Sequence, residues 1–175
     1  MADRLCLAMA VDDVYCFDTS ALFDAGIRWY PPDIFPSFWG GVDDLISRGR
    51  LLVPEMVARE ATQKTHSVAI WVKEKRSSDP EVFVDLDDEI QDELRLVTAT
   101  YPEWTAKGRN RADPFVVATA KAKGLVVVTG ETPSTSSPLA VPTSQRKLKI
   151  PTVCDHFGVN WMVIPDLIKQ EGWTF

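Results

Sequence analysis

The sequence predicts an α/β domain in which a short parallel sheet is covered by helices on both faces. Three observations carry this. Val14-Tyr15-Cys16-Phe17, Leu51-Leu52-Val53 and Leu125 to Val128 are short, almost wholly apolar runs, as expected of strands buried on both sides. Between them lie segments whose apolar residues recur at helical spacing. No internal repeat or linker divides the 175 residues, a length that suits one domain with its own core. Strands alternating with helices imply parallel pairing, with helices packed on each face.

The elements follow in order. The first strand ends at Asp18-Thr19-Ser20; Ala21 to Ala25 then reads as helix until Pro31-Pro32 interrupts it. From Ile34 to Ser47 the residues Phe35, Phe38, Trp39, Val42, Leu45 and Ile46 keep helical spacing, weakened by Gly40-Gly41 and closed by Gly49. Leu51 to Val53 is a buried strand, and Pro54 opens a helix carrying Val57 and Glu60. His66 to Arg76 reads as helix, Ser77 to Pro80 as a turn, and Asp87 to Thr100 as an acidic helix with Ile90, Leu94 and Val97 inward. Tyr101 to Arg111 is expected to be a polar loop. Ala112 to Lys123 is a helix closed by Gly124, ahead of the strand Leu125 to Val128. Residues 132–146, rich in Pro, Ser and Thr, are expected to form a mobile loop. Lys147 to Cys154 is read as a short edge strand leading into a turn of helix, and Pro165 to Gln170 as the last helix.

Composition narrows the function classes. A net charge of −6 argues against a protein that coats nucleic acid through bulk positive charge. It leaves open nucleic acid handled at one site, where divalent ions would reverse the local sign. Cys6, Cys16 and Cys154 form no CxxC pair, so neither a disulfide framework nor a zinc motif is implied. His66 and His156 are not at metal-ligand spacing and are expected to be structural or exposed. No apolar run approaches the ~20 residues that span a bilayer, and Asp12-Asp13 cut short the apolar start. A cytoplasmic protein is expected. Residues 1–12 are read as disordered or upstream of the true start, for which Met9 is a candidate.

Four acids stand out by position. Functional residues of parallel α/β sheets gather beyond the carboxyl ends of the strands. Asp18 directly follows one strand, Glu131 lies three residues past Val128, Asp113 opens a helix, and Glu60 sits on the helix after Leu51 to Val53. Clustered carboxylates repel and raise one another's pKa. Mg²⁺ or Mn²⁺ would relieve that repulsion and supply the chemistry of phosphodiester hydrolysis. Each acid also has a plainer reading. Asp18 and Asp113 could be helix N-caps, Glu60 a partner of Arg59 or Lys64, and Glu131 a loop acid. With 25 acids in the chain, residue types alone leave the choice open.

The motifs narrow it. Asp18-Thr19-Ser20-Ala21-Leu22 resembles the opening signature of PIN domains, a strand followed by Asp, a hydroxyl residue and a small-residue helix start. Val57-Ala58-Arg59-Glu60 resembles that family's second acid. Ala112-Asp113-Pro114-Phe115-Val116-Val117-Ala118-Thr119-Ala120 is similar to its third motif, and Val127-Val128-Thr129-Gly130-Glu131 to its fourth. Order and spacing agree from residue 14 to about 131, and the tail Ile150-Pro151-Thr152-Val153-Cys154 with Phe157-Gly158-Val159 resembles a VapC-like subfamily. Glu131 stands where most members carry Asp, one methylene longer in reach, so an indirect metal contact is an alternative to a direct one.

The resemblance implies a single PIN-like domain over residues 1–175, a three-layer α/β/α fold with a short central parallel sheet. It implies an Mg²⁺- or Mn²⁺-dependent endoribonuclease, the toxin of a type II toxin–antitoxin pair, with Asp18, Asp113, Glu131 and Glu60 as catalytic metal-site residues. Thr19, Ser20 and Thr129 would support the carboxylates. Lys107, Arg109 and Arg111 are candidate RNA phosphate contacts, and Lys121, Lys123, Arg146, Lys147 and Lys149 are further cations near the site. An antitoxin and a second protomer are the partners implied, meeting the surface around Trp29, Tyr30, Phe35, Phe38 and Trp39, which otherwise read as core. Three rivals remain: a degenerate PIN fold that only binds RNA or protein, another metal phosphatase or DNA nuclease, and a metal-free small-ligand domain.

Overall fold

The computed structural model describes residues 13–63, 65–106, 112–134 and 148–175. Its centre is a five-stranded parallel sheet in the order β3-β2-β1-β4-β5. The strands are β1 Tyr15–Phe17, β2 Leu51–Pro54, β3 Phe83–Val84, β4 Val126–Val128 and β5 Trp161–Met162. β1 lies in the middle, aligning Tyr15 with Leu51 on one side and with Val126 on the other. All residues of β1 and β4 are buried. Their uniform apolarity therefore reflects cover on both faces, and the three-layer α/β/α expectation holds.

Nine α-helices can be named among the described residues: α1 Thr19–Phe23, α2 Pro36–Ser47, α3 Glu55–Ala61, α4 Ser67–Ser78, α5 Asp88–Thr100, α6 Glu103–Ala106, α7 Asp113–Lys123, α8 Ile150–Phe157 and α9 Ile164–Gln170. On one face α7 packs across β1, β2 and β4, and α5 packs along α7. α7 is almost encased: Val116, Val117, Ala118, Thr119 and Ala120 are all buried. Gly124, with φ +66°, ends it in the left-handed conformation that side chains resist, and the chain turns into β4.

α2 buries Phe38, Trp39, Val42, Leu45 and Ile46. It continues through Gly40-Gly41, and Gly41 admits no side chain because a Cβ there would collide with the Trp173 ring. Trp29 is exposed, whereas Phe38 and Trp39 belong to the core and Tyr30 and Phe35 pack against it. Cys16 and Cys154 are buried thiols, and His66 caps α4 by accepting from the Ala69 amide. No helix among the described residues is long and apolar enough to cross a membrane.

Several local expectations are corrected. Of the edge strand expected before the turn of helix, Leu148 and Lys149 form neither helix nor strand, while the expected turn is a full helix from Ile150, with Pro151 in its first turn and Ile150, Val153 and Cys154 buried. The edge is β5, whose two residues are too few to show a period. The Ser77 to Pro80 turn is the end of α4 followed by a 3₁₀ turn, Pro80–Val82, that leads into β3. The polar segment after Tyr101 contains α6. The first helix begins at Thr19 and continues past Phe23 as a π-helical turn, Asp24–Trp29. Of the loop predicted over 132–146, only 132–134 are described, and they form neither helix nor strand. Residues 1–12 lie outside the described residues.

The amino ends of the central strands are held by a buried ion pair. Arg50, just before β2, donates through both terminal nitrogens to the two oxygens of Glu171 at 2.8 and 2.7 Å. Tyr15 donates its hydroxyl to the same carboxylate, and Gln170 donates to Tyr15 and Asp13. Both charged side chains are about nine-tenths buried, at 10% and 12% exposure. Removing one partner would strand the other charge. Glu171→Ala is expected to lower stability by roughly 3 kcal/mol, read as a fall in urea midpoint at constant slope. The double variant Arg50→Met/Glu171→Leu should recover most of that loss, and a single variant as stable as wild type would refute the role given to the pair.

Candidate functional site

The carboxyl ends of the strands are chemically the opposite of this clasp. Asp18 follows β1 directly, and its backbone amide donates to Val128 of β4 at 3.1 Å. Its side chain is 1% exposed. Oδ1 accepts from the Ala21 amide at 2.6 Å and from Ser20 Oγ at 2.9 Å. Oδ2 accepts from Thr129 Oγ1 at 2.6 Å and Ser20 Oγ at 2.7 Å. Asp18 is thus the N-cap of α1, as its plainer reading expected. Burial pushes its pKa up to about 6, against the lowering effect of those hydrogen bonds, and the charge of Glu131 pushes it further.

Asp113 differs in having no support. It is the first residue of α7, the N-cap position falls to Ala112, and Asp113's carboxylate makes no hydrogen bond or ion pair to a described residue. Burial raises its pKa to about 7, followed by the charges of Glu131, Asp18 and Glu60, while Lys149 acts in the other direction. Asp18, Glu60 and Glu131, from the ends of β1 and β4 and from α3, thus lie close enough for their charges to act on Asp113.

The two glutamates are engaged elsewhere. Glu60 accepts from Thr19 Oγ1, tying α3 to α1, and Arg59 pairs with Glu55 instead. Glu131 takes the Lys149 ammonium on Oε1 at 2.9 Å and the Ile150 amide on Oε2 at 2.8 Å. Its extra methylene therefore serves the amino end of α8, where backbone N–H groups and the helix dipole favour an anion. The hydroxyls of Ser20 and Thr129 meet Asp18, and that of Thr19 meets Glu60.

One acid escaped the sequence reading. Asp24, in the π-helical turn, is 5% exposed and pairs with Arg28 at 2.8 Å. A Cβ on Gly130 would collide with its carboxylate and crowd Ser20 Oγ, to which the Gly130 amide donates at 2.9 Å. The glycine in Thr129-Gly130-Glu131 was the available signal, since an interior glycine often marks close approach of another group. Lys107, Arg109, Arg111, Arg146 and Lys147 lie outside the described residues. Lys121 pairs with Glu93, and Lys123 with Asp87 and Glu89, which commits both to the α5–α7 seam.

The family described as "Domain of unknown function (DUF4411)" matches residues 15–175. The chain belongs to that family. Among solved structures, the crystal structure of PAE2754 from Pyrobaculum aerophilum is similar at 16% identity with a TM-score of 0.46, over 93% of this chain and 98% of that one. No curated protein matches.

Acceptor-only oxygens at one sheet edge suit a hard divalent cation. Among the described residues, no group of three or more His, Cys, Asp or Glu side chains stands ready to hold a metal ion. Mg²⁺, however, commonly takes only one or two carboxylates and keeps water elsewhere. Any two of these acids within reach of one ion would meet that smaller requirement.

The raised carboxylates fix the sign of a pH dependence. Asp18 and Asp113 titrate at about 6 and about 7 when folded, against about 4 when unfolded. Between those values the folded chain binds more protons, so their contribution to stability falls as pH rises from about 4 to about 7. In EDTA, the melting temperature at pH 8 should lie further below that at pH 5 for wild type than for Asp113→Asn. Calorimetric scans across that range check this, and equal pH slopes would count against it.

Proposed function

We propose that the chain is a metal-dependent endoribonuclease of the PIN type, acting as the toxin of a type II toxin–antitoxin pair. The observation that carries the reading is Asp113: a carboxylate with no described partner, whose pKa is raised first by burial and then by three neighbouring acids. A site needing only fold stability gains nothing from such an arrangement. The four motifs that resemble PIN domains supply these same four acids in the same order.

In this reading Asp18 and Asp113 hold Mg²⁺ or Mn²⁺. Ser20 and Thr129 keep the Asp18 carboxylate turned toward the site, and the Ala21 amide fixes its other oxygen. Glu60, held by Thr19, orients water at the edge of the site. Glu131 keeps α8 and Lys149 beside the acids, where the ammonium is placed to meet a phosphate. The ion supplies Lewis acidity toward water and phosphate oxygen. Ile27, Trp29, Ile34 and Ile70 are exposed apolar side chains that an antitoxin or second protomer would cover.

A second reading has its own support. With Glu131 committed to Lys149 and the α8 amide, the site could be a degenerate one that binds RNA or protein without cutting. Cleavage of mixed cellular RNA with Mg²⁺, Mn²⁺ or EDTA separates the two. Wild type should cut only with metal. Asp18→Asn and Asp113→Asn should lose more than the roughly 10–100-fold expected when a supporting hydroxyl is removed in Ser20→Ala or Thr129→Val. Glu131→Gln should fall no further than those hydroxyl variants. Folded wild type inert toward RNA under all metals would favour the binding-only reading, and cleavage of DNA or small phosphate esters in its place would change the substrate class.

A further inference from the structure

Beside the carboxylates lies a second cavity, of about 190 Å³, between α3, α7 and the chain that links β3 to α5. Its apolar wall is formed by Met56, Leu86, Ile90 and Phe115. Met56 is one helical turn before Glu60 on α3, and Phe115 is two residues after Asp113 on α7. Pro54 and Val84, the last residues of β2 and β3, also line the cavity, so it opens at the same carboxyl edge of the sheet as the acids. It is smaller than the roughly 300–1,000 Å³ of pockets that enclose a whole drug-sized ligand. One ring system fits; a larger ligand does not.

Its polar groups are few and uncommitted. Arg59, at the mouth, spends only Nε on Glu55, and its terminal nitrogens bond to no described residue. Glu55 is itself fixed by Arg76 through both oxygens. Thr119, 2% exposed, lines the cavity with a hydroxyl that has no hydrogen-bond partner among the described residues. Asp85 adds an exposed acceptor at the rim.

We propose that this cavity is a nucleobase subsite, which takes one unstacked base of a single-stranded RNA and so sets the neighbouring phosphate against the carboxylates. The proposal rests on the ribonuclease reading. Phe115 and Met56 offer the faces on which a base packs, as single-stranded nucleic-acid sites commonly do. Thr119 and Asp85 meet the polar edge of the ring, and the free nitrogens of Arg59 meet phosphate or base. An apolar side chain from a protein partner would fill the same volume but leave Thr119 and Arg59 unmet.

The test is binding without cutting. In EDTA, fluorescence anisotropy is recorded with six-nucleotide RNAs of each base and with one bearing an internal abasic ribose. At least one base-bearing strand should bind wild type about tenfold more tightly than the abasic strand. Phe115→Ala and Arg59→Gln should bring that ratio near one; Leu86→Glu, at an exposed position, should do the same without threatening the core. Equal affinity for both strands, or a ratio unmoved by the variants, overturns the subsite and fits a protein side chain instead. Absence of any RNA binding overturns it too, and the metal-dependent cleavage assay then decides whether the nuclease reading falls with it. Base-dependent binding without cleavage would keep the subsite and sink the nuclease.

Discussion

The Asp18 carboxylate is the group on which the rest of this site depends. Burying an ionised acid is expensive unless its oxygens are met by donors, and here the donors come from three places. The Ala21 amide belongs to α1, the Ser20 hydroxyl to the same turn, and the Thr129 hydroxyl to the chain leaving β4. One side chain thereby joins β1, α1 and β4 at the carboxyl edge of the sheet. The capping and functional readings of Asp18 are not alternatives. A carboxylate offers about four acceptor directions, and Ser20, touching both oxygens, has only one proton to give. Three donated protons leave one direction open.

Asp113 shows the complementary condition. Its burial is met by no described partner, and three acids work against its charge. The structure tolerates this because the opposite end of the sheet is well secured. Arg50, Glu171, Tyr15 and Gln170 close that end through direct, largely buried contacts, and α7 is anchored across three strands. A rigid scaffold can carry a local electrostatic penalty where a mobile one would let the acids drift apart.

How far the sequence was legible follows from the physics of each part. β1, β2 and β4 were readable because strands buried on both faces leave long apolar runs. β3 and β5 have two residues each, and no period exists in two residues. α8 was read as only a turn of helix, although Ile150, Val153 and Cys154 carry helical spacing and Pro151 suits a first turn. Asp18, Asp113, Glu60 and Glu131 were found by motif order. The division of labour among them was not legible, since it turns on contacts distant in sequence: Thr19 with Glu60, and Glu131 with Lys149 and Ile150. Asp24 was hidden for a similar reason, its burial arising from a π-helical turn that no local pattern announced.

Glu131 is where these threads meet. An Asp at that position would reach less far and leave the first amides of α8 to water. The longer side chain spans to Ile150 and brings Lys149 with it, so a cation and a helix amino terminus stand beside the acids. The longer side chain thus gives the acids a neighbouring cation and helix amino terminus. Such a positive edge suits a polyanion approaching a cluster of acids, because the acids alone would repel it. Glu131 is therefore a helix cap that also sets the charge around Asp113.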